Sequence, residues 1–169
     1  MKKHLLLASL LLVAPAVYGA GSAPSAIDAK AAFDRLRTLV GEWQAKTENG
    51  KTIHIKYDLI AGGSALVERE VVENTAMETI FHLDGSRLLL THYCMLGNHP
   101  RMQARKYDPA TGELTFEFLD VTNLATPTAA HMHNVQMRIV DKDHLTSQWQ
   151  LFEGGQMKST DNLLFTRLK

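Results

Sequence analysis

Turn-forming residues recur about every ten positions along most of this chain. Asn49-Gly50 and Asp84-Gly85 are dipeptides typical of two-residue hairpin turns, because both positions tolerate a positive φ. Residues 108–112, Asp-Pro-Ala-Thr-Gly, predict a type I turn closed by a glycine bulge. Such short connections join adjacent antiparallel strands, whereas parallel strands need long crossovers. Further turn signals are Gly62-Gly63, Asp141-Lys142-Asp143 and Gly154-Gly155.

The segments between these turns predict ten strands. A sheet of ten strands joined almost entirely by hairpins removes its exposed edges by closing on itself. We therefore predict an all-β fold, an antiparallel up-and-down barrel of about ten strands. One short helix precedes it over Ile27–Val40, where Asp28 can cap and apolar residues recur at helical spacing. The strands are expected at 42–48, 51–60, 64–73, 76–83, 86–96, 101–107, 113–120, 132–141, 144–152 and 156–167.

One connection is longer than the others. Residues 121–130 contain Pro127 and separate two predicted strands by about ten residues. This segment is either a functional loop at the mouth of the barrel or a simple crossover.

The N-terminus has the pattern of a secretory signal peptide. Two lysines follow Met1, and the apolar run at 5–13 is too short to span a bilayer. Cleavage after Ala16 fits the small-residue pattern best, cleavage after Ala20 is the second option, and a retained membrane anchor is the alternative. We expect a periplasmic or secreted protein without a membrane anchor after cleavage. Its parts are a signal peptide (1–20), a flexible leader (21–26) and one barrel domain (27–169).

Charge and cysteine content narrow the classes of partner. Removing residues 1–20 lowers Lys+Arg from 18 to 16 and leaves Asp+Glu at 18, a net charge of −2. A near-neutral chain without basic clusters argues against a nucleic-acid partner. The one cysteine, Cys94, allows no internal disulfide, so the apolar core must stabilise the domain. We expect the Cys94 thiol to be shielded inside the barrel or coordinated.

Two sequence features at the ends of the domain resemble those of a known superfamily. Gly41-Glu42-Trp43 follows a short helix and opens the first strand, as the G-x-W signature of lipocalin and calycin barrels does. Arg167, near the end of the last strand, resembles the arginine that packs over that tryptophan. The resemblance implies that Trp43 and Arg167 close the base of the barrel through a cation–π contact.

The resemblance extends over residues 39–169. The segment from His92 to Met102 resembles that of exported bacterial lipocalin-like proteins, and ten strands are nearer the fatty-acid-binding and nitrobindin barrels than classical eight-stranded lipocalins. Membership would imply a lumen that holds a small ligand. No particular activity follows from the resemblance.

Strand alternation predicts which residues face the lumen. In the strand at 132–141, Val135, Met137 and Ile139 share one face, and the same alternation carries His133 and His131 to the lumen near its mouth. If Ala65, Val67 and Val71 face inward, Arg69 does too. The other inward candidates with polar or aromatic side chains are Tyr57, His92, Cys94, Phe116, Trp149 and Asp161.

An apolar lumen with a few convergent polar groups is typical of a small-molecule site. Arg69 is either an anion clamp for a ligand carboxylate, as the resemblance to fatty-acid-binding barrels implies, or it pairs with Asp161 or lies outside. Residues 97–101 are expected to form a loop, in which His99 and Arg101 either contact ligand as part of a lid or lie in an ordinary solvated turn. The predicted ligand-binding residues are Tyr57, Arg69, His92, Phe116, His131, His133 and Trp149.

The histidines also suggest a second chemistry. His131 and His133 are spaced i, i+2 on one strand, as are His92 and Cys94, and such pairs can hold a transition metal or haem if a further ligand arrives. The alternatives are hydrogen-bonded wall residues with Cys94 as a small buried hydrophobe, or histidine catalysis without metal.

The sequence lacks the local motifs of common enzymes. It has no phosphate-binding glycine loop, no G-x-S-x-G elbow and no H-E-x-x-H helix. It therefore favours a protein that binds a small hydrophobic molecule over an enzyme. A metal- or haem-dependent enzyme or carrier is the second hypothesis, and a solid barrel acting as an interaction module is the third.

Overall fold

The computed structural model describes residues 27–47, 50–72 and 74–169. The predicted signal peptide and leader, and Asn49 of the first predicted turn, lie outside these residues. Within them, no helix is long and apolar enough to cross a membrane.

The fold is a closed, all-antiparallel β-barrel of ten strands preceded by one helix, as the spacing of turns predicts. Each strand pairs with its neighbours in sequence, and β1 closes the barrel by pairing with β10. The elements are α1 (Ala29–Arg37), β1 (Gly41–Lys46), β2 (Thr52–Ile60), β3 (Ala65–Val72), β4 (Thr75–Asp84), β5 (Arg87–Tyr93), β6 (His99–Asp108), β7 (Glu113–Thr122), β8 (His131–Ile139), β9 (His144–Glu153) and β10 (Gln156–Arg167).

The hairpin turns lie at the glycines that predicted them, except that one turn is displaced by one residue. Asp84 pairs with Arg87, so the two-residue turn is Gly85-Ser86 rather than Asp84-Gly85. Gly154-Gly155 forms the last turn with both glycines at positive φ, 62° and 72°. Gly112 also has a positive φ, 71°, and a Cβ there would lie 2.4 Å from the carbonyl oxygen of Ile139.

The helix is shorter than predicted and fills one end of the barrel. It is capped by the Asp28 carboxylate, which accepts from the Ala31 amide at 2.9 Å, and it ends at Arg37 rather than Val40. Its buried side chains include Phe33 and Leu36, which belong to one core cluster with residues of the barrel wall. This end of the barrel is therefore solid.

The Gly-x-Trp signature lies at the same end. The Arg167 guanidinium carbon is 4.1 Å from the centre of the Trp43 ring, and its nitrogens donate to the carbonyls of Thr38, Val40 and Lys142 at 2.7–2.8 Å. A Cβ on Gly41 would lie 2.8 Å from the same guanidinium. Glycine therefore stands at this position because the arginine needs the space.

Candidate functional site: a half-hollow barrel

The end of the barrel opposite the helix is hollow. A cavity of about 450 Å³ lies there, within the size range of small-molecule sites. Its walls come from the ends of β1, β3, β5 and β9, the beginnings of β2, β4 and β8 and the middle of β10. The solid-barrel hypothesis therefore does not describe this lumen. The apolar lining consists of Ile53, Val72, Met77, Met95, Leu96, Met132, Trp149, Leu151 and Leu163.

Several residues that strand alternation places inward do line the cavity. These are His92, Cys94, Trp149 and Asp161. Tyr57 and Phe116 also point inward and are 1% and 0% exposed, but they are buried in the core beyond the cavity wall. A role of either in direct ligand contact stays a prediction.

A chain of buried polar groups leads from Tyr57 to the cavity. The Tyr57 hydroxyl donates to the Glu68 carboxylate, and the Thr79 hydroxyl lies 3.4 Å from the other Glu68 oxygen. Thr79 Oγ1 is also 2.9 Å from Nδ1 of His92, whose ring packs against Trp149 at 4.9 Å between centres. All four members of the chain are buried, with at most 6% exposure. It therefore connects the core to the ligand space.

The direction of the hydrogen bonds in this chain depends on Glu68. With Glu68 ionised, Tyr57 and Thr79 donate to it, so Thr79 accepts from Nδ1–H of His92. The Nε2 of a neutral His92 is then an acceptor, and it has no protein partner among the described residues. Protonation of Glu68 reverses the chain and makes Nε2 a donor.

Burial shifts the pKa values of the ionisable groups toward their neutral forms. It lowers the pKa of His92 to about 4, so this imidazole is uncharged at neutral pH. Burial also raises the pKa of Glu68, against the opposing hydrogen bonds from Tyr57 and Thr79. The pKa of Cys94 is raised, chiefly by burial, and its side chain is 8% exposed.

Glu70 is an ionisable group of the cavity that has no protein partner among the described residues to offset the cost of burying its charge. It lines the cavity next to Glu68 on β3 and has no hydrogen bond or ion pair within the described residues. Burial, the Glu68 charge and the Asp161 charge raise its pKa to about 8. A carboxyl group held largely neutral at pH 7 is therefore open to a ligand.

The inward face of β3 is the opposite of the one expected. Glu68 bonds to the buried Tyr57 and Glu70 lines the cavity, so the alternate residue Arg69 faces outside. There Arg69 pairs with Asp58 at 3.1 Å and Glu78 at 3.0 Å. The anion-clamp interpretation of Arg69 is wrong, as is its alternative pairing with Asp161; only outward exposure is observed. The inward face of β3 was predicted from its apolar residues. Val67 is apolar and buried although it lies on the outer face, so the prediction chose the wrong face.

A β-bulge overturns the expected placement of the two strand-β8 histidines. Met132 pairs with Leu151 and Asn134 with Gln150, so His133 is an extra residue between two successive pairs. Met132 and Leu151 line the cavity, whereas His131 pairs with Phe152 on the opposite face. Alternation counted back from Val135 fails at the bulge, which no sequence signal marked.

These histidines belong to an aromatic stack instead. His133 lies between Phe118 and Phe152, at 4.2 and 4.0 Å between ring centres and nearly parallel to both. His131 Nε2 is 3.2 Å from His133 Nδ1, and its Nδ1 is 3.0 Å from the carbonyl of Ala129. Burial and, to a lesser extent, His131 lower the pKa of His133.

The four soft donors proposed as metal ligands are therefore divided. His92 and Cys94 line the cavity, whereas His131 and His133 belong to the stack with Phe118 and Phe152 and do not line it. No group of three His, Cys, Asp or Glu side chains in the described ranges could hold a metal ion. The donors that face the cavity therefore do not form the proposed four-ligand metal site, and haem binding stays a prediction.

The segment predicted as a loop at 97–101 is mostly strand. β6 begins at His99, which packs against Tyr93, and Arg101 makes an ion pair with Asp120 outside the barrel. Neither His99 nor Arg101 lines the cavity, so the lid interpretation is wrong for both. The actual connection, 94–98, contributes Met95 and Leu96 to the cavity lining.

The long connection meets this rim; it runs over 123–130 rather than 121–130, because β7 extends to Thr122. The Asn98 amide donates to the carbonyl of Ala130 at 2.9 Å, and the Asn123 amide donates to that of Gly97 at 2.6 Å. Met95 and Leu96 remain 52% and 50% exposed. The two connections therefore brace each other at the cavity end of the barrel.

Sequence reasoning missed the three most informative polar residues, Glu68, Thr79 and Glu70. Glu68 and Glu70 flank Arg69 in a strand that also carries adjacent valines, so the pattern did not distinguish its faces. Leu66, Glu68 and Glu70 are spaced two residues apart and so share one face of the strand. This spacing was the available signal that the two glutamates face the same side as a leucine.

Comparison with known proteins adds no function. The sequence matches no protein-family model, and no curated protein matches it. The closed ten-stranded antiparallel barrel is consistent with a lipocalin-like or calycin-like fold. That consistency concerns architecture alone.

Proposed function

We propose that this protein binds a small, largely apolar molecule in the lumen of its barrel. The observation that carries the proposal is the hollow half of the barrel, a cavity of about 450 Å³ with mostly aliphatic and aromatic walls. Each methylene group that leaves water for such walls contributes about 0.8 kcal/mol. A short alkyl chain or fused ring would therefore gain enough from burial to bind.

His92 supplies the polar recognition in this proposal. It is held by Thr79 through Nδ1, packs against Trp149 and leaves Nε2 for a ligand. A fixed imidazole orients a ligand better than a mobile one, because less side-chain entropy is lost on binding.

The test is a titration with N-phenyl-1-naphthylamine, a neutral apolar dye whose emission rises in an apolar site. Leu163 and Leu164 are consecutive on β10, and only Leu163 lines the cavity whereas Leu164 is 58% exposed. We expect Leu163→Trp to fill the cavity and weaken dye binding at least tenfold, and Leu164→Trp to bind as the native protein does. Equal binding by both variants, or none by the native protein, contradicts the proposal.

Fluorescence of Trp149 gives an independent measurement. Trp149 lines the cavity, whereas Trp43 is fully buried at the solid end. Titration with neutral apolar molecules, retinol among them, should change the emission of the native protein and leave that of Trp149→Phe unchanged. Indifference of the native protein to all of them counts against lumen binding.

We also propose export, on the basis of the sequence of residues 1–20 alone. The mature N-terminus would follow Ala16 or Ala20. Mass spectrometry of the protein from a fractionated bacterial host checks this, and an intact Met1 on the membrane-bound or cytosolic protein contradicts it.

A further inference from the structure

We propose that the ligand carries a positively charged amine next to its apolar body, and that Glu70, Asp161 and His92 receive this amine. The inference rests on the proposed binding function and names the chemical class of the ligand. It follows from the signs of the groups that face the cavity and from His92 Nε2, which makes no hydrogen bond within the described residues.

The cavity has acceptors and no cation. Among its lining residues in the described part of the chain there is no lysine or arginine, because Arg69 points outward to Asp58 and Glu78. Two carboxyl groups, Glu70 and Asp161, line it instead. A ligand carboxylate would find no counter-charge here and would oppose the ionisation of Glu70, whereas an ammonium group would favour the ionised form of both carboxyl groups.

His92 is the second, independent observation. Its side chain is 4% exposed and fixed through Nδ1, yet Nε2 makes no hydrogen bond within the described residues. This nitrogen is therefore available to a ligand group in the cavity, on a ring that Thr79 and Trp149 hold in place. With Glu68 ionised, Nε2 accepts, and the matching ligand group is a donor.

The surrounding strands set the proton balance of binding. Glu70 is flanked in the sheet by Ile55 of β2 and Met77 of β4, and it shares the cavity lining with Met95 and Leu96 of the β5–β6 connection; none of these residues is basic. Binding of R–NH₃⁺ to the protonated Glu70 acid gives an ammonium–carboxylate pair and releases one H⁺ to solvent. The titratable groups that face Glu70 or its neighbours in the lumen are Tyr57, Glu68, His92, Cys94 and Asp161.

This balance predicts a pH dependence. Because the pKa of Glu70 is about 8, its ionised fraction rises about 50-fold between pH 6 and pH 8. An alkylamine stays protonated over this range, as a lysine side chain does. Its affinity should therefore rise by about that factor, while the affinity of a neutral ligand should change little.

The experiment is isothermal calorimetry with three ligands of one chain length: octylamine, 1-octanol and octanoate. We expect octylamine to bind most tightly at pH 8. At pH 7 the apparent binding enthalpy of octylamine should differ between phosphate and Tris buffers. The difference should equal that between the ionisation enthalpies of the two buffers, multiplied by close to one released proton. Glu70→Gln should lose both the proton release and the pH dependence. Glu117→Gln, a carboxyl on the exposed outer surface, is the matched control and should retain both.

The outcomes separate this inference from the proposed function. If 1-octanol or octanoate binds as tightly as octylamine, or if octylamine binds without proton release, the amine assignment is wrong and lumen binding stands. If none of the three binds and the naphthylamine dye also fails, both are wrong. Circular dichroism of each variant shows that the barrel is intact.

Discussion

Replacement of Glu70 by glutamine should stabilise the free protein, and more so as the pH rises. The native Glu70 keeps its proton up to a pKa of about 8, whereas the unfolded chain releases it near 4.5. Between these values the folded state binds more protons than the unfolded state, so its free energy of unfolding falls with increasing pH. A glutamine amide is neutral at every pH and resembles the protonated acid in shape.

The magnitude follows from the two pKa values. Each pKa unit corresponds to about 1.4 kcal/mol, so the stabilisation by Glu70→Gln should be close to zero at pH 4, about 3 kcal/mol at pH 7 and about 5 kcal/mol well above pH 8. His92 acts in the opposite direction: its lowered pKa, about 4, removes stability as the pH falls below 6.5. Because both proteins retain His92, its effect cancels in the difference between them.

Urea unfolding followed by circular dichroism at pH 5, 7 and 9 measures this difference. A slope of 1–3 kcal/mol per molar urea is typical, so the midpoint at pH 7 should rise by about 1–3 M. Glu117→Gln is the control and should stay within about 0.5 kcal/mol of the native protein. A Glu70→Gln effect that is independent of pH would refute the reasoning, because it would mean that the native carboxyl ionises as in the unfolded chain.

Four further results are expected. Arg167→Ala should lower stability by about 2–3 kcal/mol in thermal unfolding, because the Trp43 ring loses its cation and three carbonyls lose their donor; an unchanged melting temperature would show that this end of the barrel does not depend on the arginine. Thr79→Val should cost about 1–3 kcal/mol in urea unfolding by leaving Glu68 and His92 without their shared partner, and a neutral result would contradict the buried chain. Cys94 should react with a bulky thiol reagent at least about tenfold more slowly in the native protein than in urea, since burial shields the thiol and raises its pKa; equal rates would contradict both. Gly112→Ala should destabilise the protein by at least about 1 kcal/mol more than Gly85→Ala, because both have positive φ but only the first places a Cβ against a carbonyl; equal losses in thermal unfolding would argue against that close approach.

The contrast between Glu70 and Arg69 shows how the site departs from a fatty-acid clamp. Both residues are charged and adjacent on β3, and one step of register exchanges them between lumen and solvent. An arginine in the lumen would select an anion, whereas the observed glutamate favours a cation. The class of ligand therefore depends on which face of one strand is buried.

Tight turns at regular spacing determined the architecture from the sequence alone. Tight connections such as those at Gly85, Gly112 and Gly154 join antiparallel neighbours, so their positions were enough to predict a closed meander of ten strands, although not every strand boundary. The Gly-x-Trp signature and Arg167 were similarly informative, because each has a local steric or electrostatic requirement. Strand alternation also placed His92 and Trp149 at the cavity, since no bulge interrupts β5 or β9 there, and Cys94 lines it from the connection that follows β5.

Only the tertiary structure decided which residues meet in the lumen. The bulge at His133 reverses alternation beyond it, and it leaves no mark in the sequence because the extra residue is an ordinary strand residue. The face of β3 was equally ambiguous, since Val67 is buried outside and Glu68 is buried inside. Burial of a carboxyl group depends on partners from other strands, here Tyr57 and Thr79. Local sequence patterns predict hairpins and helix caps. The hollow half of the barrel and its acidic lining instead arise from contacts between residues distant in the chain.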